Sequence, residues 1–235
     1  MGLAYRYITA LWRHHRSRGF GIHSPFAFGF VTEVLREKCP YYAYADIEAL
    51  RDEVRVAARH EHPRRQVIGL HKALMLFRIT NYFNPSHILL LGTAHGLTAS
   101  AMLRVSSRSQ LYVCGQLGIT AQQVLKPYGS RVHRFGTPAE AFEAYNHNLA
   151  EGDRPFVLVN EIAGADDLGT AEATLMAILD AGGVVTLRHL RTSKSMRQLW
   201  TACKLHMTEG QTFSNDKEAI LVPGQRPLEH FSLWF

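Results

Sequence analysis

From Pro85 onward, short and almost wholly apolar runs alternate with longer stretches of helical spacing, and this alternation restricts the fold more than any other feature of the chain. The runs are HILLLG (87–92), LYVCG (111–115), RVHRF (131–135), FVLVN (156–160), GVVTLR (183–188), then QTFSN and EAILVP near the end. Helical stretches are expected at 96–104, 119–127, 138–150, 168–181 and 193–206. Successive apolar residues, as in ILLL and FVLV, leave no polar face for solvent. Such strands must be covered on both sides, as in a parallel sheet flanked by helices. The last two runs have no clear helix between them, which predicts an antiparallel hairpin closing the edge of the sheet.

Before Pro85 the pattern is helical, which divides the chain into a helical N-terminal extension (1–84) and an α/β core (85–235). Ser24 and Pro25 offer an N-cap followed by proline at the first helical position, after which Phe26, Phe30, Val31, Val34 and Leu35 line one side. A second helix is expected from 45 to about 60 and a third from 66 to 83, separated at His62 and Pro63. In the third, Leu70, Leu74 and Phe77 have the spacing of a buried stripe.

At 235 residues and 46% hydrophobic content the chain can build a sizeable core. The net charge of +6 is uneven, because Arg6, Arg13, Arg16 and Arg18 all precede the first acid, Glu33. Such a basic front end could meet phosphates, an acidic protein partner or an anionic surface, or simply be a solvated helix face. Tyr5, Tyr7 and Trp12 interleave with it and could stack on nucleic-acid bases, or form the buried side of an amphipathic helix. No run is long enough to span a bilayer, and the start lacks the apolar block of a signal peptide, so the expected location is cytoplasmic. Cys39, Cys114 and Cys203 are odd in number and form no CxxC pair; buried thiols are expected rather than a disulfide framework or zinc site. His14 with His15, and His60 with His62, lack the i, i+4 spacing that aims two imidazoles at one metal, and no metal site is expected from them.

In a doubly wound sheet, ligands bind beyond the carboxyl ends of the strands, where the connection order reverses. The loop after the first strand reads LLLGTAHGLTASAML: Gly92 permits a tight turn and Gly96 opens a helix whose amides can face an anion. A plain strand-to-helix turn explains the same residues. Taken with GFGIHSPFAF (19–28), PYYAY (40–44), LFRITNYFNPSHILLLGTAHGLT (76–98), SKSM (193–196) and EHFSLWF (229–235), this loop makes the chain resemble a bacterial family of class I S-adenosylmethionine (SAM) methyltransferases. That family is close in pattern to small-molecule O-methyltransferases, and a helical segment carrying GxHSPF precedes its Rossmann-like core. The resemblance implies a mostly parallel seven-stranded sheet with one antiparallel strand and SAM across the ends of the first two strands. Gly92, Thr93, His95, Gly96, Gln116 and Asn160 would then be the cofactor-binding candidates.

Four positions depart from the family pattern. Leu90 stands where the first strand has an acid, and Gly115 stands where an acid grips the ribose, with Gln116 the polar neighbour able to substitute. A hydrogen bond to a charged partner contributes about 1.5–3 kcal/mol, so this loss weakens SAM by about one to two decades. Asn160 replaces the aspartate that ends the fourth strand, and Arg188 with His189 replaces two adjacent aspartates of the fifth. A hard divalent cation prefers carboxylate oxygens, so no metal cofactor is expected.

Two readings follow. One is a relative that keeps the fold but has a degenerate cofactor site and is non-catalytic. The other is a metal-independent methyltransferase with His189 as general base, where Arg188 and Arg191 hold a small anionic acceptor. The N-terminal helices could serve as a lid, a packed extension or a homodimer interface.

Overall fold

A computed structural model describes residues 13–15, 17–61, 67–92, 95–162 and 165–235. Tyr5, Arg6, Tyr7, Trp12, Arg16, the break at His62 and Pro63, the start of a helix at Gln66, and Thr93 lie outside the described residues.

A short helix α1 (Pro25–Gly29) runs on as one π turn (Phe30–Leu35) and is followed by α2 (Tyr44–Glu61) and α3 (Leu70–Phe83). The core then alternates β1 (His87–Leu91), α4 (Leu97–Leu103), β2 (Gln110–Cys114), α5 (Ile119–Leu125), β3 (Val132–Phe135), α6 (Pro138–Asn148), β4 (Phe156–Val159), α7 (Ala165–Asp180), β5 (Val184–Leu187) and α8 (Lys194–His206). Strands β6 (Gln211–Ser214), β7 (Ala219–Val222) and β8 (Glu229–Ser232) finish the chain. The sheet order is β3-β2-β1-β4-β5-β7-β6-β8, with β7 antiparallel to both of its neighbours and the other pairings parallel. The order reverses between β1 and β4, which is where a ligand crevice is expected.

The apolar strands divide by residue parity, as pleating requires. Ile88, Leu90, Leu111, Val113, Leu158 and Ile220 face α3, α4 and the π turn. Leu89, Leu91, Tyr112, Val157, Val185 and Leu221 face α6, α7 and α8. Phe30, Val31, Val34 and Leu35 join the first of these clusters, so the N-terminal extension packs directly on the sheet.

Ser24 caps α1, its Oγ accepting from Ala27 N at 3.3 Å, and the same Oγ contacts Gln211 Nε2 of β6 at 2.5 Å. The seven expected strands form, but two details differ from the sequence reading. The hairpin β6–β7 does not close the edge: β7 lies against β5, and the tail EHFS adds an eighth strand beyond β6. This strand hides Phe231 against Phe213, and its short, half-polar pattern (Glu229, His230, Ser232) masked it in the sequence. In α3, Leu70 and Leu74 are only half-buried, while Ala73, Met75 to Thr80 are buried, because the helix lies between the sheet and α2 and is covered nearly all round.

Cys39 corrects a further expectation. It is exposed, in the coil between the π turn and α2, where no element covers it, whereas Cys114 and Cys203 are buried. Of the basic front end, Arg18 is exposed. Arg13 is paired with Asp216 and donates through Nε to Ser232 Oγ at 2.8 Å, so it ties the front of the chain to β8. No helix among the described residues is long and apolar enough to cross a membrane.

Candidate functional site

Beyond the carboxyl ends of β1, β4 and β5 lies a cavity of about 160 Å³. His95 reaches it from the β1–α4 connection, Leu97 and Thr98 from the first turn of α4, Asn160 from the end of β4, and Arg188 and His189 from the end of β5. Residues 67–69, just before α3, supply its remaining wall from the N-terminal extension. The structure therefore brings together His95, Asn160, Arg188 and His189.

Arg188 is 7% exposed and makes two side-chain contacts. Its Nη1 donates to Asn160 Oδ1 at 2.5 Å, and its Nε donates to Glu218 Oε1 at 3.2 Å. Glu218 is 4% exposed, and its second oxygen, Oε2, lies 2.6 Å from Lys72 Nζ on α3. Lys72 also donates to the Phe235 oxygen at 2.9 Å, which Asn215 Nδ2 contacts at 2.6 Å. Two cations thus share one buried carboxylate. Good geometry of this kind offsets the desolvation of the ions, and removal of Glu218 leaves the buried Arg188 charge without its carboxylate.

Next to Arg188, His189 is exposed and has a left-handed backbone, with φ of 60°. Its carbonyl accepts from Thr192 N at 3.1 Å and Ser193 N at 3.0 Å, closing the loop that leads to α8, where Ser193 Oγ then caps Met196 N at 3.3 Å. Partial burial, with the Arg188 charge as the second cause, holds the imidazole below its ordinary pKa of 6.5. At neutral pH the ring is uncharged.

The other sequence candidates among the described residues are not on the wall of this cavity. Arg191 is exposed on the β5–α8 loop, and its carbonyl accepts from Arg197 Nη1 at 3.0 Å. Gln116 is exposed beyond β2. Gly92 has φ of 81°, and a Cβ there would lie 2.6 Å from Glu161 Cγ and 2.7 Å from Glu161 N. A Cβ on Gly96 would meet Ala121 Cα at 3.1 Å. Each glycine thus admits a close approach of the protein to itself, with Glu161 filling the crevice between β1 and β4. Asn160 N donates to Leu91 O at 2.7 Å, continuing the β1–β4 ladder to the strand ends. Leu90, in the position of the family acid, is fully buried on the α3 face.

Three side chains of the site were not identified from the sequence. Glu218 and Lys72 lie 30 and 116 residues from Arg188, and only the sheet order brings β7 beside β5. Glu61, at the end of α2, accepts from Thr120 N at 2.9 Å and so places a carboxylate on the loop after β2, where Gly115 offers none. Gly118 is what admits it, since a Cβ at that position would lie 1.9 Å from Glu61 Oε1.

No protein-family model matches the chain, and no curated protein matches it. Solved structures do. An O-methyltransferase from Bacillus cereus in complex with SAH superposes with a TM-score of 0.52 at 14% identity, covering 81% of this chain and 96% of that one. An SAH-bound methyltransferase from Podospora anserina gives 0.54 at 11% identity, covering 88% and 98%. An O-methyltransferase from Streptomyces achromogenes involved in tomaymycin synthesis, in complex with SAM, gives 0.51 at 13%, covering 79% and 92%. Together with the strand order, these matches establish the class I methyltransferase fold for this chain.

Proposed function

We propose that this protein is a methyltransferase-fold chain whose strand-end site has been rebuilt around an internal cation, so that it holds SAM weakly or not at all and does not perform metal-assisted methyl transfer. The observation that carries this reading is the buried Arg188 guanidinium, bonded to Asn160 at the end of β4 and to Glu218 of β7. A divalent cation needs free, hard oxygen donors. Here the Asn160 oxygen is engaged by Arg188, and both Glu218 oxygens are engaged by cations of the chain itself. The residues at the strand ends therefore do not fit a metal.

They also fit SAM poorly. Leu90 and Gly115 provide no acid, the Glu61 carboxylate that reaches the loop after β2 already accepts from Thr120 N, and Glu161 lies against Gly92 where a cofactor would approach the backbone. Thermal unfolding with and without millimolar SAM and Mg²⁺ tests the reading. A ligand in hundredfold excess over its Kd stabilises by about 2.7 kcal/mol, a readily measured rise in Tm. No rise is expected, and a rise of several degrees that requires Mg²⁺ would overturn the proposal.

His189 favours a second reading, in which the site performs metal-independent transfer to a small anionic acceptor. A neutral imidazole beside a guanidinium can accept the acceptor's proton, while the positive charge of Arg188 draws the anionic acceptor towards the site. His189→Ala would then abolish turnover while SAM binding persisted. Unchanged turnover in that variant removes the base assignment.

A further inference from the structure

A second cavity, of about 720 Å³, opens where the end of the π turn meets α2, α3 and the C-terminal tail. Its volume falls in the range of small-molecule sites, roughly 300–1,000 Å³. Arg36, Lys38, Tyr44, Arg78 and Trp234 are on its wall.

The charges on this wall do not balance. Arg78 is 5% exposed, yet among the described residues its side chain donates to neutral acceptors: Nε to Val34 O at 2.6 Å, Nη2 to Leu35 O at 3.0 Å and Nη1 to Tyr44 Oη at 3.0 Å. A guanidinium buried without a carboxylate is costly, and the usual remedy is an anion close by. Arg36 adds a second deficit, since its Nη1 is buried with no hydrogen-bond partner. The acid of the wall, Glu37, accepts at 2.6 Å from the backbone amides of Lys38 and of Cys39, and forms no ion pair with either guanidinium among the described residues. The Phe235 oxygen is engaged by Lys72 and Asn215. His71, also on the wall, has its pKa lowered by burial first and then by the charges of Lys72 and Arg78.

We propose that this cavity is a binding site for a small organic anion, with a phosphate or carboxylate group held by Arg36 and Arg78 and an aromatic body lying against Tyr44 and Trp234. Guanidinium forks match either oxyanion, and flat rings stack on aromatic side chains. The site is separate from the strand-end cavity and its occupancy does not depend on SAM.

Calorimetric titration of the full chain at fixed ionic strength with phenyl phosphate, benzoate and inorganic phosphate tests the proposal. Saturable one-site binding is expected for phenyl phosphate or benzoate, tighter than for inorganic phosphate, and the arm that binds identifies the oxyanion. Arg36→Gln should weaken it at least tenfold, Lys38→Gln, an exposed change, by a smaller factor, and Arg197→Gln on α8 should leave it unchanged. Absence of saturable heat with either aromatic anion, or equal affinity in wild type and in folded Arg36→Gln and Lys38→Gln, would overturn it.

Discussion

Arg188 and Glu218 set the character of the strand-end site, and their consequences can be measured one side chain at a time. Glu218 is shared by two cations, so Glu218→Gln leaves both Arg188 and Lys72 without their counter-charge. Breaking a buried pair in this way costs about 3–5 kcal/mol. Lys72→Met should cost less, about 1 kcal/mol or below, because Lys72 is partly exposed and Arg188 keeps Glu218 satisfied. Urea unfolding of the two variants checks the order; an equal loss would show that the network does not share one carboxylate. At Gly92, alanine meets both a left-handed backbone and the Glu161 main chain. Gly92→Ala should therefore lose about 2 kcal/mol or more, whereas His189→Gly should gain up to about 1 kcal/mol by relieving a left-handed non-glycine residue. The sequence identified the replaced positions Leu90, Gly115, Asn160 and Arg188 as departures from a pattern. It did not reveal that Arg188 and Asn160 bond each other, because that depends on side-chain directions at two strand ends.

At the scale of elements, the strands were legible because their hydrophobicity is continuous, and five of the helices because they lie between such strands. β8 was not, since Glu229, His230 and Ser232 dilute its pattern to a single buried apolar side chain, Phe231. That residue nonetheless secures the edge, stacked on Phe213 with ring centroids 5.4 Å apart. Phe231→Ala should cost about 3–5 kcal/mol, as for other buried phenylalanines, and should raise hydrogen exchange in β6. Retained protection in β6 would mean that β8 is decoration on an already stable edge. Within the segment GFGIHSPFAF, Ser24 caps α1 and reaches Gln211, tying the N-terminal extension to β6. Glu61 illustrates the opposite limit of sequence reading: a carboxylate in a helical extension meets the β2–α5 loop only because α2 packs beside α5.

For the molecule as a whole, fold and chemistry separate. The sheet order and helix placement are those of the class I methyltransferases, while the groups at the strand ends form an internal ion network. One bulk property follows from the histidines. His71, His87, His189 and His230 are all held below the ordinary pKa of 6.5, with burial the first cause in each. The unfolded chain protonates these groups near 6.5 while the folded chain keeps them neutral, so the unfolded state binds more protons as the pH falls below that value. Their stabilising contribution is complete above about pH 7 and declines towards about pH 5, giving a lower Tm at the acidic end. A flat Tm across that window would show that these imidazoles titrate alike in the folded and unfolded chain.

The central claim, that the cofactor site has been rebuilt around the chain's own charges, is tested most directly by calorimetric titration with SAM and with its demethylated product. A rebuilt site predicts no saturable heat up to millimolar ligand, with or without Mg²⁺. Saturable one-site binding at micromolar concentration would contradict it and would show that the ends of β1 and β2 still hold the methyl donor.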